Sequence, residues 1–290
     1  MSYKIAIASG KGGTGKTTVA VNLYNVIAKY HEQDVLLVDC DVEEPNDLLF
    51  FSGAKRLDGE VVSHRVPELD LDRCTFCRKC SEYCEFNAIT VIPPVKFAAV
   101  NPDLCHSCGA CLYACKDHAL VEKRVGIGEL TRYDIGLGAG LVEGKMNVGL
   151  ALQTPVIRYI KDKTRDFNGI ALYDAPPGTS CSVVSTVADS DYVILVTEPT
   201  PFGLHDLRLA AGIAREMGKP FGVVVNKTGI GNNDLYEYLE QEGIALLAGI
   251  PFKKEYAEKY AGGALLSDAY GEYEAFFKTI ANNILKSKGL

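Results

Sequence analysis

Short apolar runs and helical segments alternate over most of the chain. Runs rich in valine, isoleucine and leucine predict buried strands at residues 3–8, 34–41, 170–178, 192–197 and 221–226. Apolar spacing typical of helices occurs at residues 19–29, 204–217 and 234–243. Strands that alternate with helices predict a doubly wound, mostly parallel sheet of the α/β class, with functional sites at the carboxyl ends of the strands.

The alternation is interrupted by a cysteine-rich stretch with little helical periodicity. This stretch covers residues 58–124, and we expect it to be a small inserted α+β domain. Residues 1–57 and 125–290 then form one discontinuous α/β domain, and 290 residues are enough for both. The glycine-rich residues 126–145 are predicted to form a β-ribbon that returns to the sheet.

Eight of the ten cysteines lie in two runs with the same spacing. The runs are Cys74-x-x-Cys77-x-x-Cys80-x-x-x-Cys84 and Cys105-x-x-Cys108-x-x-Cys111-x-x-x-Cys115. This spacing resembles that of bacterial two-cluster ferredoxins, in which three cysteines of a run bind one 4Fe–4S cluster and the fourth binds the other. The resemblance implies one cluster on Cys74, Cys77, Cys80 and Cys115, and a second on Cys105, Cys108, Cys111 and Cys84.

Two other uses of these cysteines are disfavoured. Zinc sites use two pairs of ligands, and this does not explain why each run repeats a third and a fourth cysteine. His106 and His118 lie nearby in sequence and are the residues that favour zinc. Disulfides are disfavoured because the first residues lack an export signal, so we expect a cytoplasmic location in which thiols stay reduced. Glu85 and Lys116 stand where ferredoxins usually have proline, which leaves the local turns and the reduction potentials open.

A glycine-rich loop joins the first predicted strand to the first predicted helix. Ser-Gly-Lys-Gly-Gly-Thr-Gly-Lys-Thr-Thr, which begins at Ser9, is a phosphate-binding pattern in the strand–loop–helix context that such loops require. We expect Lys16 to reach the β- and γ-phosphates of a nucleotide and Thr17 to bind Mg²⁺, while backbone N–H groups surround the phosphates. The predicted nucleotide-binding residues are Gly10, Gly12, Gly13, Thr14, Gly15, Lys16, Thr17 and Thr18.

A second lysine, Lys11, follows the first glycine of this loop. With it, the sequence resembles the deviant Walker A ATPases, the group of MinD, ParA and the nitrogenase iron protein. The resemblance implies Mg²⁺-dependent ATP hydrolysis and a homodimer that forms on ATP binding, in which Lys11 reaches the nucleotide of the partner. The other interpretation of Lys11 is a solvated surface lysine.

The same resemblance assigns roles to residues that follow the predicted strands. Asp41 positions the attacking water, Asp39 lies near Mg²⁺, and Asp174 binds Mg²⁺ as the Walker B residue. Gly178 senses the γ-phosphate and Asn226 reads adenine. Asn226 also fits an ordinary turn or cap residue, because asparagine is common at strand ends.

The resemblance covers the whole chain and is to MinD-type ATPases that carry an inserted ferredoxin domain. It implies that a nucleotide-switched dimeric ATPase is coupled to electron transfer through two 4Fe–4S clusters to a partner metalloprotein. Two alternatives stay open: a metallocluster assembly or carrier ATPase, and a ParA/MinD-like positioning ATPase whose clusters sense redox state. In each case the cofactors are ATP, Mg²⁺ and the two clusters.

The net charge and the hydropathy of the chain limit the kinds of partner that we expect. A net charge of −7 argues against nonspecific nucleic-acid binding, which depends on neutralising phosphates. No apolar run is long enough to span a bilayer. The tail, residues 273–290 with Lys278, Lys286 and Lys288, shows little amphipathic contrast, so we expect no membrane anchor of the MinD type.

Two cysteines lie outside the runs. Cys40 is predicted to pack within its strand. For Cys181, shortly after Asp174, the favoured interpretation is a small buried hydrophobe. The alternative is a thiol ligand for a partner or a transferred cluster.

Overall fold

The computed structural model describes residues 2–285. Its strands are β1 Tyr3–Ala8, β2 Val35–Asp39, β3 Lys55–Leu69, β4 Ile89–Ile92, β5 Phe97–Val100, β6 Leu120–Asp134, β7 Leu141–Met146, β8 Ile170–Asp174, β9 Tyr192–Thr197, β10 Phe221–Thr228 and β11 Leu246–Pro251. Its α-helices are α1 Lys16–Tyr30, α2 Lys79–Glu82, α3 Ala110–Ala114, α4 Gln153–Thr164, α5 Cys181–Val187, α6 Pro201–Glu216, α7 Asp234–Gln241, α8 Lys254–Ala261, α9 Leu266–Ala269 and α10 Gly271–Leu285. Short 3₁₀ helices cover Asp47–Phe50, Pro93–Val95 and Pro102–Leu104.

The large sheet has the strand order β11-β10-β9-β1-β8-β2-β7-β6-β3. The pairings from β11 to β7 are parallel. The predicted mostly parallel α/β sheet is therefore confirmed. Because β8 lies between β1 and β2, with Asp174 in register with both Ile7 and Asp39, the carboxyl ends of these three strands meet at one edge.

The chain divides into two compact units. The first contains the residues up to Glu60, Leu130–Lys145 and the chain from Ile157 onward. The second contains Val61–Glu129 and Met146–Val156. Strands β3 and β6 contribute residues to both units, and the segment 146–156, which the sequence placed in the α/β domain, is part of the second unit.

The core of the first unit includes side chains of α1, the central strands and α10. Helix α10 buries Tyr273, Phe277, Ile280 and Ile284, whose spacing forms one apolar side of the helix. The expectation of little amphipathic contrast in the tail was therefore wrong for residues up to Leu285, and this side is used for core packing. Lys286 and Lys288 lie outside the described residues. Within residues 2–285, no helix has both the length and the apolar character needed to cross a membrane.

The second unit repeats its backbone conformation. Strands β4 and β5 pair antiparallel, with Ile89 opposite Val100. Left-handed backbone conformations occur in pairs with the sequence spacing that separates Cys74 from Cys105. These pairs are Phe76 and Ser107, Arg78 and Gly109, and Asn87 and His118. The repeat seen in the cysteine pattern is thus also a repeat in the chain path.

Candidate functional site

Two positions in the loop between β1 and α1 have room for glycine alone. A Cβ atom on Gly10 would lie 2.2 Å from the carbonyl oxygen of Asp206, and one on Gly15 would lie 2.3 Å from Nδ2 of Asn226. Gly15 is the N-cap of α1 and has a φ of 98°, so the helix begins at Lys16, earlier than the sequence predicted. Lys16 and Thr17 therefore occupy the first turn of α1, where free backbone N–H groups and the helix dipole attract anions.

Asp174 connects β8 to this helix. Its Oδ2 atom accepts a hydrogen bond of 2.8 Å from the hydroxyl of Thr17. Burial raises the pKa of Asp174 to about 6, against the opposing effects of the Lys16 charge and the Thr17 hydrogen bond. Lys16, Thr17 and Asp174 thus lie together at the carboxyl ends of β1 and β8, where the sequence predicted phosphate and Mg²⁺ binding.

Asp39 organises the segment that follows β2. Its Oδ1 atom accepts the N–H of Asp41 at 3.0 Å, and its Oδ2 atom accepts those of Asn46 and Asp47 at 2.9 and 3.1 Å. Burial and the charge of Asp174 raise the pKa of Asp39 well above its usual value. Asp41 is half-buried and close enough to Lys16 for that charge to lower its pKa, although burial raises it overall.

Asp47 was not identified from the sequence. It is the first residue of the 3₁₀ helix Asp47–Phe50, and its side chain is 0% exposed. Its carboxyl group contacts that of Asp174, and burial raises its pKa well above the usual value, with the charges of Asp39 and Asp174 adding to the effect. An aspartate before an apolar run is also a common helix cap, so the sequence carried no distinguishing signal.

Lys11 lies against Glu198, which follows β9. The Lys11 Nζ atom is 2.6 Å from Glu198 Oε1, and Lys227 Nζ is 3.2 Å from Glu198 Oε2. Lys227 also donates a hydrogen bond of 3.0 Å to the carbonyl of Gly13. Burial alone would raise the pKa of Glu198, but the hydrogen bonds from the two lysines lower it overall. Neither Glu198 nor Lys227 was identified from the sequence, because their spacing to Lys11 follows no local pattern.

Asn226 and Gly178 support the loop in this structure. Asn226 lies within β10, so neither a turn nor a cap describes it. Its Nδ2 atom donates to the carbonyl of Thr14 at 2.8 Å, and its Oδ1 atom accepts the N–H of Lys227 at 2.9 Å. The N–H of Gly178 donates to the carbonyl of Ser9 at 3.1 Å.

A cavity of about 280 Å³ opens beside the loop. Gly13, Gly15, Thr18 and Asn226 line it on the loop side. Aromatic rings from the other side include Phe252, Tyr256 and Tyr260. Its size and its aromatic lining suit a planar ring system next to the phosphate-binding loop.

The eight cysteines of the two runs line two separate pockets in the second unit. One pocket is lined by Cys74, Cys77, Cys80 and Cys115, and the other by Cys84, Cys105, Cys108 and Cys111. Each pocket therefore takes three cysteines from one run and the fourth from the other. This is the grouping that the resemblance to two-cluster ferredoxins implies.

Backbone N–H groups point at four of these sulfur atoms. The donor–acceptor pairs are Phe76 to Cys74 at 3.4 Å, Ser107 to Cys105 at 3.4 Å, Ala88 to Cys84 at 3.3 Å and Ala119 to Cys115 at 3.3 Å. Such hydrogen bonds stabilise thiolates that bind iron–sulfur clusters and tune their potentials. Burial raises the pKa of Cys80, Cys105 and Cys111, the last to about 11, and neighbouring thiols in each pocket add to this.

The donor set of each pocket is four cysteine thiols, three from one run and one from the other. His106 also lines the pocket of Cys84, Cys105, Cys108 and Cys111. Among residues 2–285, no group of three His, Cys, Asp or Glu side chains has the geometry of a site for one metal ion. In number and in kind, the four thiols of each pocket fit the ligands of a 4Fe–4S cluster.

The remaining two cysteines differ from each other. Cys40 is fully buried, as predicted for packing. Cys181 is exposed, so the favoured interpretation as a buried hydrophobe was wrong. It occupies the first position of α5, whereas Val183 and Val187 form the buried side of that short helix.

Comparison with known proteins places the chain in a family. The sequence profile of the CobQ/CobB/MinD/ParA nucleotide binding domain matches residues 5–266. An uncharacterized protein of Methanocaldococcus jannaschii is 30% identical over 278 residues, which covers 96% of this chain and 94% of that protein. The iron-sulfur cluster carrier protein of Pyrococcus abyssi is 24% identical over 266 residues, covering 86% of this chain and 74% of that protein.

Solved structures share the fold. The septum site-determining protein MinD of Pyrococcus horikoshii, complexed with Mg-ADP, has a TM-score of 0.59 and 19% identity, over 98% of this chain and 96% of that chain. The cell division ATPase MinD of Pyrococcus furiosus has a TM-score of 0.59 and 22% identity, over 99% of both chains. The profile match, the relative from Methanocaldococcus jannaschii that covers almost the whole chain, and the geometry of the loop all indicate the same family. The chain therefore belongs to the CobQ/CobB/MinD/ParA nucleotide-binding family and is a P-loop ATPase.

Proposed function

We propose that this ATPase carries two 4Fe–4S clusters and couples its nucleotide state to electron transfer to a partner metalloprotein. The observation that carries the proposal is the grouping of cysteines into two pockets, each completed by the fourth cysteine of the other run. When bound, the clusters supply one-electron transfer. The chain supplies the thiolates and the N–H groups that point at four of them.

The nucleotide lies along the loop and the carboxyl ends of the strands. Lys16 contacts the β- and γ-phosphates, and Thr17 and Asp174 hold Mg²⁺, since their hydrogen bond already places these two oxygen donors together. Asp41 positions the attacking water. The cavity beside Asn226 holds the adenine ring.

Two segments read the γ-phosphate, one held to the loop and one held by Asp39 at the end of β2. Gly178 has its N–H on the carbonyl of Ser9, and Asp39 holds the residues from Asp41 to Asp47 by their N–H groups. Nucleotide switches work by reordering such segments around γ-phosphate and Mg²⁺. The segment after Asp39 leads in sequence to β3, which enters the unit with the cysteine pockets.

The active state is a homodimer that forms on ATP binding. In it, Lys11 leaves Glu198 and reaches the phosphates of the partner's nucleotide, where two protomers make the same contact by symmetry. The partner that exchanges electrons is a metalloprotein with a surface for the cysteine-containing unit.

Iron content tests the proposal. Anaerobic reconstitution should give about eight iron and eight sulfide per chain, and the reduced protein should give the low-temperature EPR signals of 4Fe–4S clusters. Cys77→Ser should lose about half of the iron. Cys181→Ser is the matched control and should keep all of it, because Cys181 lies outside both pockets. Stoichiometric zinc in place of iron would contradict the proposal.

A second candidate is a carrier that delivers clusters to other proteins. It is favoured by the relative from Pyrococcus abyssi, whose name is iron-sulfur cluster carrier protein. Incubation with an apo-ferredoxin separates the two functions. Loss of iron from this chain to the acceptor favours a carrier, whereas repeated reduction and oxidation with all iron retained favours electron transfer.

A third candidate is a positioning ATPase with redox-sensing clusters, as the shared fold with MinD proteins allows. ATP-dependent binding to DNA or to lipid vesicles would favour it.

A further inference from the structure

Asp47 is a buried carboxylate that the protein does not compensate. Its side chain is 0% exposed, and among residues 2–285 no N–H or O–H group donates to either carboxylate oxygen. Burial of a carboxylate without hydrogen bonds or a cation is strongly unfavourable. The buried carboxyl group must therefore be neutralised, either by a proton or by a cation that the chain itself does not provide.

The neighbouring carboxylates show what is missing. Asp39 accepts three backbone N–H groups, and Asp174 accepts the hydroxyl of Thr17 through Oδ2. Oδ1 of Asp174 is buried without a donor, and the carboxyl group of Asp174 contacts that of Asp47. Two carboxyl groups thus face each other beside Thr17, close enough to share a proton. Apart from each other, both oxygens of Asp47 and Oδ1 of Asp174 have no hydrogen-bond partner among residues 2–285.

The chemistry of this arrangement suits Mg²⁺ with its bound waters. Mg²⁺ takes oxygen ligands, keeps several waters, and is held in nucleotide sites by few protein groups. Carboxylates beside it accept hydrogen bonds from those waters and orient them. Glu143 adds further negative charge near Asp47, which strengthens the attraction for a divalent cation.

We propose that Asp47 is a second carboxylate of the Mg²⁺ site and positions the ion with Asp174 and the hydroxyl of Thr17. Its place in the fold links that site to the segment after β2. The N–H of Asp47 holds Asp39, while its carboxylate faces Asp174, so one residue joins the ends of β2 and β8. The inference concerns the ATPase site alone and does not depend on the clusters.

The test compares Mg²⁺ dependence in three full-length proteins: wild type, Asp47→Asn and Glu43→Gln. The probe is a fluorescent N-methylanthraniloyl ADP, and the readout is its retention as Mg²⁺ is titrated. In Asp47→Asn, the Mg²⁺ concentration at half-saturation should rise roughly 10- to 100-fold, the usual cost of removing a group that supports a metal. Glu43→Gln removes an exposed carboxylate from the same segment and should match the wild type.

The competing account is that Asp47 only shares a proton with Asp174 and supports the fold. Asparagine can supply a donor to Asp174, so on that account the Mg²⁺ half-saturation in Asp47→Asn is unchanged, which would overturn the proposal. ADP binding in EDTA should be equal in all three proteins. Weaker ADP binding by Asp47→Asn in EDTA would also overturn the proposal, because it would show that Asp47 supports the nucleotide pocket without Mg²⁺. If Asp47→Asn does not fold, Asp47→Ser is judged by the same two readouts.

Discussion

The Nζ atom of Lys11 lies 2.6 Å from Oε1 of Glu198 within one chain. Lys227 holds the other oxygen of the same carboxylate and also the carbonyl of Gly13 in the loop. The lysine that would reach a partner's nucleotide is therefore paired inside its own protomer. In the proposed dimer, this pair must break before Lys11 can bind the partner's phosphate.

Removal of the Glu198 charge should consequently favour the dimer. A partly buried ion pair contributes about 1 kcal/mol, and each wild-type protomer loses this contribution when the dimer forms. A Glu198→Gln protomer has no such pair to lose, so the association constant of the dimer should rise about 10-fold or more. Analytical ultracentrifugation with ATP, in an Asp41→Asn background that slows hydrolysis, measures this. Glu216→Gln, an exposed acid on α6, should leave the constant unchanged. An unchanged constant in Glu198→Gln would show that Lys11 does not need to leave.

Two substitutions separate binding from hydrolysis at the loop. Lys16→Ala should abolish tight ATP binding, because it removes the cation aimed at the β- and γ-phosphates from the first turn of α1. Asp41→Asn should keep ATP binding and lose hydrolysis, because only the orientation of the water suffers. Calorimetry measures the first and phosphate release the second. Hydrolysis at the wild-type rate in Asp41→Asn would make Asp39 the next candidate.

Lys161 provides a stability test that is independent of nucleotide. This side chain of α4 is buried and donates hydrogen bonds to the carbonyls of Ser185 and Thr186, while Asp189 lies 3.2 Å away. Lys161→Met leaves those two carbonyl groups at the end of α5 without a donor, which should lower the free energy of unfolding by about 2 kcal/mol.

Lys163→Met is the matched control for this substitution on the same helix. Lys163 is more exposed and pairs with Glu60, so its loss should lower the free energy of unfolding by less than the loss of Lys161 does. Urea denaturation of both variants gives the comparison. Equal losses would mean that the buried contacts of Lys161 contribute no more than a surface ion pair.

The sequence predicted those parts of the fold and site that depend on local signals. Each buried strand, the glycine loop and each cysteine run is formed by residues that are neighbours in sequence. The parallel sheet was predicted from the order in which strands and helices alternate. Glu198 and Lys11 are separated by 187 positions, so their contact has no local pattern. In the sequence, Asp47 resembled an ordinary helix cap. Its contact with the carboxyl group of Asp174 is visible only in the folded protein, where β8 places Asp174 beside it.

Side-chain direction also could not be predicted from residue type alone. Cys181 was expected to be buried because cysteine is often a small core residue, yet it is exposed at the start of α5. In α10 the reverse occurred, since the apolar side with Tyr273 and Phe277 was overlooked and packs in the core. Both errors concern which side of a helix meets the sheet, and that depends on the tertiary arrangement.

Coupling between nucleotide and clusters is the property that distinguishes an electron-transfer ATPase from two unrelated functions in one chain. If ATP changes the affinity of the clusters for an electron, then reduction must change the affinity for ATP by the same factor. A coupling of about 1–3 kcal/mol corresponds to a shift of roughly 40–130 mV in a one-electron potential.

The shift should require both Lys16 and Asp174, because in the proposed function these residues contact the phosphates and Mg²⁺ that order the switch segments. Redox titration followed by EPR, with ADP, with a nonhydrolysable ATP analogue and without nucleotide, measures it. Lys16→Ala should give one potential in all three conditions. Cys181→Ser should shift as the wild type does, because its thiol lies outside both cysteine pockets. Identical wild-type potentials in all three conditions would contradict thermodynamic gating and leave partner docking as the step that ATP controls.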